Sequence, residues 1–255
     1  MGIAIAIANQ KGGVGKTTTA VHLAHALAAI NNKVLVIDAD HQANTTVYFG
    51  YDPDILEEEQ KTLYFALLKE KSLRDLIING NPALIPSSIL QAQADIELAS
   101  EPFSSEVLKE KLSDIKQDFD FIIIDTSPNL GLVTINVLSS VDTIIIPTKL
   151  EKLDTRGIPQ LLSTITKIQR RGNPRLFVFG ILPTQVNPTF TLERAVFEGL
   201  QIRYGTSTRI FPGINRSTTF GQSAAMSSSV FQLAPESPGA RAYYQLAEEL
   251  LCLKN

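Results

Sequence analysis

Five stretches of nearly unbroken apolar and β-branched residues punctuate the chain, at positions 3–8, 34–38, 121–125, 143–147 and 176–182. Each has the length of a strand. Their lack of polar alternation predicts parallel strands covered on both faces. Between them the apolar period changes. Ala20, Leu23, Ala24 and Leu27 recur at helical spacing within 18–30, and residues 105–115 and 158–168 behave similarly. Strands alternating with helices predict an α/β fold: a doubly wound, mostly parallel twisted sheet with helices on both faces. The stretch 51–104 is the least regular. Its charged run at 57–61 reads as a solvated helix end, and two short extra strands are expected at 83–86 and 95–99. No repeat or low-complexity linker divides the chain, so residues 1–255 read as a single domain.

Composition narrows the class. Hydrophobic residues make up 44% of the 255 positions and charged residues 19%, ordinary values for a soluble globular protein. A net charge of −3 excludes a surface coated in basic residues but leaves room for a local basic patch. The lone cysteine, Cys252, excludes a disulfide framework and points to a reducing, cytoplasmic compartment. No apolar run reaches the roughly 18 residues of a membrane span. The opening MGIAIAIANQ lacks the basic segment of a signal peptide and reads as a strand.

The candidate chemistry starts where that first strand ends. NQKGGVGKTTT, residues 9–19, places three glycines between Lys11 and Lys16, just ahead of a predicted helix. Glycines let successive backbone N–H groups converge on an anion, and the helix N-terminus adds the positive end of its dipole. Lys16 is positioned to reach the β- and γ-phosphates of a nucleotide, and Thr17 to put a hydroxyl on Mg²⁺. The common phosphate-loop spacing asks for glycine at position 10, where Gln10 stands. Asp125 ends an apolar strand beside this loop and is a candidate to hold Mg²⁺ through a water. Asp38 and Asp40 close the second strand two residues apart, which points both to one side.

KGGVGKTT resembles the deviant phosphate loop of the ParA/MinD family of ATPases, and residues 8–28 resemble its Soj-like ParA branch. VLVIDADHQANTT at 34–46, FDFIIIDTSPNLGLVTINVL at 119–138, TIIIPTKLEKLDTRGIPQLL at 143–162 and SPGARAYYQLAEEL at 237–250 resemble later family motifs in the family's order. Two departures stand in the second motif: His41 where proline is usual and Ala43 where glycine is usual.

The resemblance implies an ATPase using ATP and Mg²⁺. Its nucleotide contacts would be Lys11, Gly12, Gly13, Val14, Gly15, Lys16, Thr17 and Thr18, with Asn187 and Pro212 at the adenine. Thr17, Asp38 and Asp125 would serve the metal. Lys11, Lys16, Asp38 and Asp40 would form the catalytic set, Asp40 orienting the attacking water and Lys11 reaching across a homodimer to the nucleotide of the second subunit. Gly131 would allow the segment after Asp125 to change shape.

The resemblance also implies nonspecific DNA binding by the ATP dimer, through Arg203, Arg209 and Arg216, with Arg170, Arg171 and Arg175 as further candidates. A ParB-like or adaptor protein would stimulate slow hydrolysis, and the cargo would be a plasmid, a chromosome or a protein organelle such as a carboxysome. Nucleoid association follows. With no winged helix ahead of Met1, site-specific DNA reading is not expected. The alternative is a MinD-like mode in which the C-terminal helix docks on a membrane. The tail AYYQLAEELLCLKN carries two glutamates and one lysine, without a basic face for anionic lipid. A metal-cluster carrier would need more than one cysteine.

Overall fold

The computed structural model describes residues 2–100, 104–151, 155 and 157–254. Positions 152–154 and 156 of the motif at 143–162 therefore lie outside the described residues. Among those described, six strands form one sheet: β1 (Ile3–Ile7), β2 (Val34–Ala39), β3 (Ala83–Ile85), β4 (Phe121–Thr126), β5 (Thr143–Lys149) and β6 (Phe177–Thr184). Their order is β3-β2-β4-β1-β5-β6, and every pairing between them is parallel.

The helices run α1 (Lys16–Ala29), α2 (Asn44–Tyr48), α3 (Pro53–Glu58), α4 (Leu63–Leu68), α5 (Leu73–Leu76), α6 (Gln91–Glu97), α7 (Val107–Ser113), α8 (Leu132–Ser140), α9 (Gly157–Arg171), α10 (Thr191–Tyr204), α11 (Thr218–Ala225), α12 (Val230–Leu233) and α13 (Pro238–Leu250).

The unbroken apolar runs have a simple cause: each strand feeds two cores. Ala4, Ala6, Leu35, Ile37, Ile122 and Ile124 face one layer with Leu63, Leu108, Val137 and Leu161. Their neighbours Ile5, Ile7, Val34, Val36, Phe121 and Ile123 face the other, with Leu23 and Leu27 of α1 and Tyr243, Leu246 and Leu250 of α13. Each fully buried Ile or Leu contributes about 1.5–3 kcal/mol relative to exposure. On α13 the buried positions 243, 246, 247 and 250 follow the helical i, i+3, i+4, i+7 stripe. That apolar face is occupied by the protein itself. Among the described residues, no helix is long and apolar enough to cross a membrane.

Residues 83–85 form the short strand expected there, but 95–99 do not. Gln91, Ala94 and Leu98 are the buried residues of this stretch, at helical spacing, and the segment is helical. The Asp95 carboxylate accepts from the Val133 backbone N–H at 2.8 Å, capping the first turn of α8. A Cβ on Gly131 would collide with this carboxylate, so glycine there permits the approach. The irregular stretch 51–104 also holds α3, α4 and α5, short helices whose patterns are too brief to read as periodic.

The carboxyl ends of β1, β2 and β4 lie side by side: Asp125 is in register with Ile7 and with Asp38. Ligands of open α/β sheets bind at such ends, where neighbouring strands send their chains in different directions.

Candidate active site

The loop between β1 and α1 is anchored before it turns. Asn9 Nδ2 donates to the Pro147 carbonyl oxygen at 2.7 Å, and Asn9 Oδ1 accepts from Lys11 N at 3.1 Å. Gly13 (φ 69°) and Gly15 (φ 83°) take left-handed backbone, which costs other L-residues about 1–2 kcal/mol. From above, Thr184 Oγ1 donates to Val14 O at 2.7 Å and Gln185 Nε2 donates to Gly13 O at 3.0 Å. Helix α1 opens with no side-chain cap, leaving its first-turn N–H groups to an anion.

Lys16 is buried, and its ammonium donates to Lys11 O at 3.2 Å. Burial lowers its pKa, opposed by the charges of Asp125 and Asp40. Lys11 stands at the exposed front of the loop. Thr17 Oγ1 and Thr45 Oγ1 both donate to Asp125 Oδ2, each at 2.8 Å. Asp125 Oδ1 is buried without a hydrogen-bond partner. Burial pushes the Asp125 carboxyl above its ordinary range, and burial together with the nearby Asp125 does the same to Asp38.

Asp38 and Asp40 divide their work. Asp38 Oδ2 accepts from Thr46 N (2.9 Å) and Thr46 Oγ1 (2.8 Å), while its Oδ1 accepts from Asp40 N (3.2 Å). Asp38 thus stands behind the wall, holding the turn into α2. Of the two, Asp40 lines the cleft. Its Oδ1 accepts from Gln42 N at 3.1 Å and lies 3.4 Å from His41 Nδ1. Ala43 sits in the left-handed region (φ 51°), a conformation glycine adopts without strain.

The cleft over the loop encloses about 390 Å³ and is lined by Gly12, Gly13, Lys16, Thr17, Asp40 and Gln42, among others. A second cavity of about 200 Å³ shares Gly15, Thr18 and Gln185 with it and extends to Arg216, Phe220 and Tyr243. Thr184, Gln185, Thr45 and Thr46 escape a reading of the sequence, because isolated Thr and Gln carry no local signature. So does Lys149, whose ammonium lies 3.9 Å from where a Cβ on Gly13 would be.

Other expected residues fall elsewhere. Asn187 borders an adjoining depression with Pro188 and Phe197 that shares Asn215 with the second cavity, and Pro212 borders a small one beside Leu246 and Glu249 that shares Ile214 with it. Neither lines the two cavities that meet at Gly15. The three arginines are exposed. Arg216 lies at the rim of the second cavity, Arg209 pairs with Glu249 at 2.7 Å, and Arg203 sits over the Tyr204 ring at 5.3 Å.

A family model described as an AAA domain matches residues 2–178. The sporulation initiation inhibitor protein Soj of Bacillus subtilis (strain 168) is 37% identical over 254 residues, covering 98% of each chain. The chromosome-partitioning ATPase Soj of Thermus thermophilus is 34% identical over 249 residues, covering 97% of this chain and 94% of its own. Among solved structures, cobyrinic acid a,c-diamide synthase from Mycobacterium smegmatis with bound ATP analog and magnesium superposes with a TM-score of 0.86 at 32% identity, over 98% of this chain and 95% of the other.

Proposed function

The chain belongs to the AAA-domain family of Soj- and ParA-like partitioning ATPases, and we propose that it is an ATP-driven partition switch. In this reading it binds ATP with Mg²⁺ in the loop cleft, dimerises face to face through the nucleotides, and in that state holds DNA without reading its sequence. A ParB-like or adaptor partner stimulates a slow hydrolysis and releases it. The whole of residues 1–255 works as one such unit, located on the nucleoid.

The observation that carries the reading is the pairing of an anion cradle with an unsatisfied acidic oxygen. The glycine loop and Lys16 offer donors and positive charge for phosphates. Beside them the buried Asp125 Oδ1 has no protein donor, and Thr17 Oγ1 shares the same carboxylate. An oxygen pair of this kind fits a hard divalent cation. Thr17 would hold Mg²⁺ directly and Asp125 would hold it through a water. The cation supplies neutralisation of charge on the transferred phosphoryl group. Asp40, on the cleft wall, orients the attacking water, and Asp38 holds Asp40's backbone in place. Lys11, exposed at the front of the loop, stands where a lysine can reach a partner's phosphates, as an arginine finger does. Burial of the apolar stripe of α13 against α1 supports the DNA mode over membrane docking by that helix.

Sedimentation of the full chain with Mg²⁺ and either ADP or a nonhydrolysable ATP analogue tests this. A dimer is expected with the triphosphate analogue, and Lys11→Ala should remain monomeric while still binding it. The same particle mass under every condition would refute the sandwich.

A further inference from the structure

We propose that Tyr48 is a positioning residue that couples the acidic end of the cleft to α11, the helix that begins two residues after Arg216. The inference rests on the nucleotide-binding reading of the cleft. Helix α2 is only five residues long, too short to hold itself by its own backbone bonds. Its place is decided by what its side chains grip, and they grip in two directions. At its start, Thr45 donates to Asp125, and Thr46 donates twice to Asp38. At its end, the Tyr48 hydroxyl donates to the Phe220 carbonyl oxygen at 3.2 Å, hydrogen-bonds with Ser223 Oγ and lies 3.1 Å from His22 Nε2. Ser227 Oγ, just past α11, adds a bond to the Val47 carbonyl oxygen at 3.1 Å.

The Tyr48 hydroxyl is therefore a junction of three helices. His22 belongs to α1, the helix that opens with Lys16 and Thr17. Its ring is fully buried and packs edge-on against Tyr48 at 5.5 Å, with Phe220 and Tyr243 around it. His22 Nδ1 has no partner, so the tautomer protonated at Nε2 orphans no N–H and donates to the Tyr48 oxygen. With Tyr48 donating to Phe220, the Tyr48–Ser223 hydrogen bond takes its proton from Ser223 Oγ, which also lies 2.9 Å from the same Phe220 carbonyl oxygen. A shift of Asp125 or Asp38 on a change at the phosphates moves Thr45 and Thr46, and the short helix carries it to α11. In reverse, a contact made at Arg216 or α11 acts on the carboxylates that set hydrolysis. The coupling requires α2 to take two positions, which nucleotide-dependent exchange at 218–225 would report.

The test compares the parent chain with Tyr48→Phe, Ser223→Ala and the double variant. Three experiments are run: binding of a fluorescent ATP analogue with Mg²⁺ for Kd, hydrolysis kinetics for kcat and KM, and hydrogen exchange of residues 218–225 with and without the analogue. In the parent, nucleotide should change exchange across 218–225. Tyr48→Phe keeps the ring and should leave Kd and KM within about twofold, change kcat severalfold and abolish the exchange response. Ser223→Ala should do the same, and the double variant should add nothing further. A parent that binds nucleotide with no change at 218–225, a Tyr48→Phe variant that still responds, or additive effects in the double would overturn the coupling. A parent that binds no nucleotide would overturn the reading of the cleft and the inference with it.

Discussion

Thr17 Oγ1 donates to Asp125 Oδ2 across 2.8 Å, joining the first turn of α1 to the end of β4. The two residues are 108 positions apart, and their meeting turns two separate motifs into one site. Thr17→Ala removes the hydroxyl from both the carboxylate and the expected cation. Affinity for Mg²⁺–nucleotide should fall by at least about 10–100-fold, the loss seen when even a residue that only supports a metal ligand is removed. Thr17→Ser should largely restore it. Titration of nucleotide with and without Mg²⁺ separates the two, since binding without the cation should change much less.

Lys16→Ala removes the buried ammonium of the loop. Charge-assisted hydrogen bonds contribute about 1.5–3 kcal/mol, so nucleotide Kd should rise by about 10–150-fold. Equilibrium binding of a fluorescent ATP analogue measures this, and an unchanged Kd would discredit the assignment of the loop.

Asp40→Ala should separate binding from turnover. The side chain lines the cleft while its neighbour Asp38 keeps the wall in place. Hydrolysis should drop by about 10²–10⁴-fold, the range for losing a side chain positioned on the attacking water's proton, with nucleotide affinity preserved. The variant should accumulate as an ATP-bound dimer in sedimentation. Hydrolysis at the parent's rate would remove Asp40 from its role.

Burial drives the His22 pKa down to about 3 from an ordinary 6.5, with the charge of His25 a smaller contribution. The unfolded chain therefore binds a proton near pH 6.5 that the folded chain refuses until about pH 3. This group's effect is absent above 6.5, and stability falls as pH drops through that window, by about 1.4 kcal/mol per pH unit at the steepest. His22→Gln should flatten the difference. In urea unfolding at pH 4.5, 5.5, 6.5 and 7.5, the stability difference between parent and variant should hold constant at 6.5 and above and change only below about 6.5.

Arg216→Glu reverses charge at the cavity rim. Retention on nonspecific DNA should weaken at low salt, and the slope of log affinity against log salt should shrink by about one per lost phosphate contact. Dimerisation should survive. Arg209→Glu should do less, because Arg209 is already paired with Glu249. Equal effects from both would argue for diffuse charge rather than a contact at Arg216.

The reach of local pattern is visible at individual positions. Strand β4 and its terminal Asp125 are legible because an apolar run ending in a carboxylate is a contiguous signal. Helix α6 reads locally as a strand at 95–99, because seven residues are too few to separate period 2 from period 3.6. Asp38 and Asp40 are legible as a pair, but their division into support and cleft wall is not. That division depends on Thr46, whose hydroxyl reaches Asp38 from the following helix. Resemblance puts Asn187 and Pro212 at the base, and the folded chain sets them in neighbouring depressions.

The sequence by itself determined the parallel layered sheet, the glycine cradle and the identity of the lysines and carboxylates around it. Those features are written in runs of a few adjacent residues, where backbone preference and apolar period act. Only the tertiary structure decided that Thr45 serves Asp125, 80 positions away, and that Tyr48 meets Ser223 across 175. Contacts of that span are set by how helices pack over the sheet, and a hydroxyl carries no local mark of the partner it will find.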